Sequence, residues 1–319
     1  MAKVLITGGA GYIGDCVAEY LVNSGHDVTI FDNLMYGGMY MRRGVKFIRG
    51  DVTDYTFLRV CMERGKYTSV IHLAGIVGDG ACQVNPTYTV NVNEIATNRI
   101  ARLCTKLGVR MVFASTCSVY GANNDLLDEE SDTNPLSIYA GTKLNAEAAV
   151  KKVPSHAIFR LGTLFGMSTE HARIRCDLVA NILTYRVMQG KSLTVFGGEQ
   201  WRPLLHVRDA GKIFAQAAVQ PEFNGMWVLS RSNMRIIDLA ERIIMCAGIG
   251  DIVKTDMKFE DLRDYRVDNS KAKQDGFVAD ISIHVGISEM IQVMHEGRIA
   301  DVWDTRFHNA QYAGEVIRD

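Results

Sequence analysis

The first 32 residues leave few folds open. Val4-Leu5-Ile6-Thr7 reads as a short buried strand running straight into Gly8-Gly9-Ala10-Gly11-Tyr12-Ile13-Gly14. A helical stretch over 16–22 stops near Gly25, and Val28-Thr29-Ile30-Phe31 is a second strand ending on Asp32. Strand, glycine turn, helix, strand and acid in this register build a dinucleotide cradle. Gly8 permits a sharp turn, Gly11 removes a side chain where a pyrophosphate must approach, and Gly14 lets the helix pack close to the sheet. The helix amino end, with Tyr12 and Ile13 in the loop before it, offers unpaired N–H groups to phosphate. Asp32 can accept both adenosine ribose hydroxyls, with Asn33 beside it, and its charge repels a 2'-phosphate, which favours NAD over NADP.

The alternation continues. Residues 45–51 read as a strand ending in Asp51, and Asp51-Val52 supplies an acceptor and an apolar cap for adenine. Residues 69–75 read as a central strand leading into Leu73-Ala74-Gly75, small enough at its end for the dinucleotide to lie close. His72 falls inside that strand and reads as structural. A long helix over 90–107 and a strand over 110–115 follow. Parallel strands alternating with helices predict an α/β fold, a Rossmann-type doubly wound parallel sheet with a smaller C-terminal substrate-binding lobe. The boundary falls near 162, the first part carrying the cofactor and residues 163–319 forming mainly the second lobe, with about 201–222 returning to the first. Thr194-Val195-Phe196 and Trp227-Val228-Leu229 read as strands of the smaller lobe.

Composition narrows the function. The chain has 319 residues, 47% of them hydrophobic, so an extensive core is possible. A formal net charge of -1 without a basic block argues against nucleic acid as a partner. No apolar run reaches the roughly 20 residues of a membrane span. The seven cysteines lack metal-site spacing, so no metal is expected; their odd number and the absence of an evident secretory leader favour a reducing cytoplasm.

The chemistry sits further along. Ser115-Thr116-Cys117-Ser118 emerges from a strand end facing the ligand crevice, where Thr116 can bond a substrate oxygen. Cys117 has no evident histidine and acid partners and reads as a packed thiol. Tyr139 and Lys143 stand four residues apart, on one face of a helix. The ammonium there is expected to lower the phenol pKa from about 10, fitting Tyr139 to take a proton from an alcohol, while Lys143 also reaches the nicotinamide ribose.

At these residues the chain resembles the extended short-chain dehydrogenase/reductase family, within it the nucleotide-sugar epimerases and dehydratases. The resemblance runs through Gly8 to Gly14, Asp32-Asn33-Leu34, 72–75, Asn91-Val92-Asn93, Ser115 to Gly121, Tyr139 to Lys143, Arg160-Leu161-Gly162, 201–209 and 268–272, nearly the whole chain. It implies a Thr116, Tyr139 and Lys143 triad, Asn91 as the supporting asparagine, Ser115 at the cofactor, and a homodimer joined through helices near 90–107 and 139–152. It also implies a nucleotide-diphosphate sugar as substrate, met near Thr163, with arginines clamping its diphosphate: Arg202 and Arg263 foremost, Arg175 as a third candidate. Two departures matter. Cys117-Ser118 replaces the Asp-Glu pair usual in dehydratases, which disfavours dehydration. Thr163 stands where many 4-epimerases carry asparagine. The leading expectation is an NAD-dependent nucleotide-sugar 4-epimerase; the alternatives are a 4-dehydrogenase that releases the 4-keto sugar and a non-catalytic dinucleotide-binding module.

Overall fold

The computed structural model describes residues 1–37, 40, 42–255 and 264–317. In chain order its strands are β1 (Lys3–Thr7), β2 (Asp27–Asp32), β3 (Val45–Arg49), β4 (Ser69–His72), β5 (Arg110–Thr116), β6 (Ala122–Leu127) and β7 (His156–Leu161). They continue as β8 (Thr163–Phe165), β9 (Leu193–Phe196), β10 (Trp201–His206), β11 (Gly225–Leu229), β12 (Ser232–Arg235), β13 (Ile252–Thr255) and β14 (Asp264–Val267). Seven of them make one sheet in the order β11-β7-β5-β4-β1-β2-β3, and every neighbouring pair is parallel. Strand order reverses between β1 and β4, and a crevice opens there at the carboxyl ends.

Period-two alternation puts two cores on this sheet. Val4, Ile6, Val112 and Ala114 face one side, against Ala210, Ile213 and Phe214 of the Val207–Val219 helix. Leu5, Val70, Met111 and Phe113 face the other, against Leu58 and Met62 of the Tyr55–Gly65 helix, Ile100 and Leu103 of the Thr97–Leu107 helix, and Ala146 and Val150 of the Ile138–Val150 helix. His72 is wholly buried between Thr7 and Thr97, its ring nitrogens 2.6 and 2.9 Å from their hydroxyls, and burial holds its pKa down to about 3. A third core, with Phe165, Leu183, Tyr185, Val195, Ile237 and Ile287 in it, belongs to the smaller lobe. Among the described residues no helix is long and apolar enough to cross a membrane.

One expectation is corrected. Trp227-Val228-Leu229 is not a strand of the smaller lobe: β11 pairs with β7 at the edge of the main sheet. The indole of Trp227 is the reason, packing 5.6 Å from Phe159 and 5.1 Å from Phe277. The long helix expected over 90–107 is present, and it runs without a break as an α-helix Pro86–Val90, a π-helical stretch Asn91–Ala96, and an α-helix Thr97–Leu107. The wider π turn rotates the side chains that follow it.

Candidate active site

A cavity of about 320 Å³ occupies the switch point, within the range of small-molecule sites. Every residue expected to hold the cofactor lines it except Asn91. Gly8 has φ +71°, and a Cβ there would lie 2.5 Å from the Ala74 nitrogen, so the turn and the close approach of the β4 loop both require glycine. A Cβ on Gly14 would meet the backbone of Gly9 at 2.5 Å; its role is to close the glycine loop on itself. The helix Gly14–Asn23 begins without a side-chain cap, leaving its first N–H groups for an anion. Asp32 receives the Ala10 N–H at 3.1 Å and the Leu34 N–H at 2.7 Å, one on each oxygen, and keeps lone pairs for a diol. Burial raises its pKa against those two bonds. Asp51 is held by Thr53 and Asn33; burial pushes its pKa up, but these bonds win and lower it. The hydroxyl of Tyr36 lies buried in the same wall without a hydrogen-bond partner among the described residues. An anchored acid, an uncapped helix start, a glycine cradle and an orphaned hydroxyl fit a dinucleotide such as NAD.

The reactive groups stand at the β5 end of the cavity. Ser137 caps the Ile138–Val150 helix by accepting the Ala140 N–H at 3.2 Å and donates to Asp79 at 2.7 Å. The helix thereby carries Tyr139 and Lys143 into the cavity beside Thr116. Lys143 is 3% exposed and donates from Nζ to the Ala114 carbonyl at 3.0 Å. Thr116 accepts the Ser118 N–H at 3.1 Å. Cys117 points away, fully buried, with its thiol on the Arg160 carbonyl at 3.3 Å.

The electrostatics differ from the expectation. Tyr139 has its pKa raised, first by burial and then by nearby Cys82, with a hydrogen bond to Thr116 acting the other way. Lys143 is not the dominant influence, since its ammonium is turned to a carbonyl and is itself desolvated: burial holds it down to about 8. Both groups therefore favour their neutral forms more than free side chains do. A consequence follows for stability. The unfolded lysine titrates near 10.4, so between about pH 8 and 10.4 it holds a proton that the folded one has lost, and the contribution of Lys143 to stability rises with pH. The buried thiols, whose pKa values are raised, act in the opposite sense over the same range, so the lysine is read as a difference: the stability of the parent relative to Lys143→Met, from urea unfolding, should rise by on the order of 1–3 kcal/mol across that range, and equal slopes would reject the assignment.

Asn91 is corrected to Asn93. Asn91 is exposed. The π-helical stretch instead turns Asn93 inward, where it is fully buried, accepts the Ile76 N–H at 2.8 Å, donates to the Ile76 carbonyl at 2.9 Å and reaches Thr142 at 3.4 Å. It clips the β4 loop to the helix of Tyr139. A Cβ on Gly75 would lie 3.1 Å from the Asn93 Oδ1, so glycine there makes room for the clip. The only signal was the second asparagine in Asn-Val-Asn.

The substrate expectations divide. Thr163 and Arg175 line the cavity. Arg202 is not among the lining residues: on β10 it is 7% exposed, and its Nη1 donates to the carbonyl of Trp201 at 2.9 Å. Arg263 lies outside the described residues. Arg173, Tyr36 and Asn309 line the cavity without having been expected there; Asn309 had no local signal.

Residues 4–228 match the model of the family described as NAD dependent epimerase/dehydratase. UDP-glucose 4-epimerase of Streptomyces lividans is 30% identical over 219 residues, 65% of this chain and 67% of its own. UDP-glucuronic acid decarboxylase 1 of Danio rerio is 28% identical over 226 residues, 65% of this chain and 51% of its own. Among solved structures, MoeE5 in complex with UDP-glucose and NAD superimposes with a TM-score of 0.80 at 25% identity, covering 93% of this chain and 99% of that one.

Proposed function

This chain belongs to the NAD-dependent epimerase/dehydratase family, and from that premise we propose that it is a nucleotide-sugar 4-epimerase. The observation that carries the reading is the convergence of Tyr139, Thr116 and Lys143 on the cavity that also holds the glycine loop and Asp32. NAD bound there supplies the hydride acceptor and donor for oxidation of the sugar at C4 to a 4-keto intermediate and for its reversal on the other face. Tyr139 Oη takes the proton of the C4 hydroxyl and later returns it. Thr116, beside Tyr139 in the cavity, orients the same substrate oxygen. Burial disfavours the Tyr139 phenolate, so the positive charge of oxidised NAD, together with Lys143 fixed by the Ala114 carbonyl, would stabilise it and the developing substrate alkoxide. Asn93 positions this face rather than touching substrate. Thr163 meets the sugar, and Arg263 the substrate diphosphate.

Dehydration finds no support at 117–118, since Cys117 is buried and neither residue carries a carboxylate. The relatives acting on UDP-glucose and UDP-glucuronic acid favour a UDP-sugar. The reading includes a homodimer through helices near 90–107 and 139–152, and a reducing cytoplasm, where the seven unpaired cysteines are at home. Purified protein incubated with UDP-, GDP-, CDP- and dTDP-sugars and followed by NMR should invert C4 of one of them with no net change in cofactor. A 4-keto sugar accumulating with reduced NAD would make it a 4-dehydrogenase instead, and NAD binding without any sugar turnover would make it a binding module.

A further inference from the structure

Two arginines reach from the smaller lobe to the dinucleotide half of the cavity. The Arg175 guanidinium lies 5.9 Å from the ring of Tyr12, in the glycine loop, and that of Arg173 lies 3.9 Å over the ring of Tyr36, four residues past Asp32. Their charges are only half balanced. Arg175 makes a forked pair with Asp177 at 3.0 and 3.1 Å. Arg173 donates to neutral oxygens among the described residues, the Arg306 carbonyl and the Asn309 Oδ1, both at 2.7 Å. Burial, then the like charge of Arg175, hold Arg173 down to about 10. Two cations and one carboxylate leave a net positive charge in a partly buried wall, which is costly unless an anion completes it. The uncapped start of the Gly14–Asn23 helix belongs to the same cavity.

One residue organises this wall. Asn309 is 4% exposed; its N–H bonds Asp177 at 2.8 Å, its Nδ2 bonds the Val77 carbonyl at 2.8 Å, and its Oδ1 receives Arg173. The Asn309–Val316 helix then anchors itself on the cofactor half: Tyr312 lies 5.8 Å from the Tyr36 ring and Ala313 is buried in the core of the main sheet. Asn309 thus ties both lobes together at the point where both arginines are aimed.

We propose that Arg173 and Arg175 are the counter-charge to the diphosphate of the bound dinucleotide, with Asn309 as the positioning residue that holds them there. This rests on the NAD reading above and redirects Arg175 from substrate to cofactor. Isothermal titration of the full chain with NAD, with adenosine, which lacks phosphate, and with UDP tests it. Arg173→Ala and Asn309→Ala should each weaken NAD by about 10-fold or more while adenosine and UDP stay within about twofold, and Arg173→Lys should fall between. Raised salt should weaken NAD binding more in the unsubstituted protein than in Arg173→Ala. Arg173→Gln, which keeps hydrogen-bond donors, replaces any variant whose circular dichroism shows it unfolded. Unchanged NAD affinity in folded variants overturns the proposal, as does loss of UDP with NAD retained, which would assign the arginines to substrate. Absence of NAD binding in the unsubstituted protein would instead sink the cofactor reading itself.

Discussion

Tyr139→Phe is expected to lower turnover of the nucleotide sugar by about 10²–10⁴-fold with NAD still bound. The phenol oxygen is the group placed to move the C4 proton, and its removal leaves the ring that packs in the cavity wall. Such a loss corresponds to about 3–5 kcal/mol of barrier. Thr116→Val should cost less, because it removes a hydroxyl beside the acting group and not the group itself. Single-turnover reduction of bound NAD, read at its near-ultraviolet absorbance, separates the chemical step from substrate binding. Turnover of Tyr139→Phe within about threefold of the parent would remove Tyr139 from the mechanism.

Glu147→Ala should produce the largest stability loss, about 3–5 kcal/mol. Glu147 lies one turn beyond Lys143 and pairs with Arg160 on β7 at 2.9 Å, with side chains 1% and 4% exposed. Ser115 donates to the same carboxylate, and Arg160 also bonds the Tyr120 hydroxyl at 3.1 Å. The cluster therefore fastens the helix of Tyr139 and Lys143 to β5 and β7. Removing the carboxylate leaves a buried guanidinium without its counter-ion, which is why the cost far exceeds that of an exposed pair such as Arg59–Glu63, worth about 0.3–0.5 kcal/mol. Urea unfolding measures it. The double change Glu147→Leu with Arg160→Met should recover much of the loss, because an apolar pair needs no counter-charge. A loss below about 1 kcal/mol in Glu147→Ala would show that the pair is hydrated in solution.

The dinucleotide half was legible because its requirements are local. A turn at Gly8, an acid at the end of β2 and a tyrosine four residues from a lysine are set by neighbours in the chain, and all of them line one cavity. The resemblance pointed to Asn91, and nothing in Asn91 to Ala96 announces the π-helical turn in which Asn93, two positions on, is the residue that faces inward. Arg202 is not among the residues that line the cavity, although a guanidinium near a strand start looks like an anion ligand; its place on β10, between β8 and β12, follows from sheet pairing and not from a local pattern. Trp227 looked like part of the smaller lobe because it follows that lobe's residues in the chain, whereas its partners Phe159 and Phe277 are far away in sequence.

The sequence by itself determined the alternation of strands and helices in the first half, the cofactor class and the place of Tyr139 one turn before Lys143 on a helix, since hydrophobic period, glycine placement and helical spacing act over a few residues. Tertiary structure decided the protonation balance of Tyr139 and Lys143, because desolvation depends on everything packed around a group and outweighs the one charge four residues away. It also decided which arginines face the cavity and brought Asn309 to Arg173 and to Val77, two contacts 136 and 232 residues apart in the chain, which follow from tertiary packing and from no local pattern.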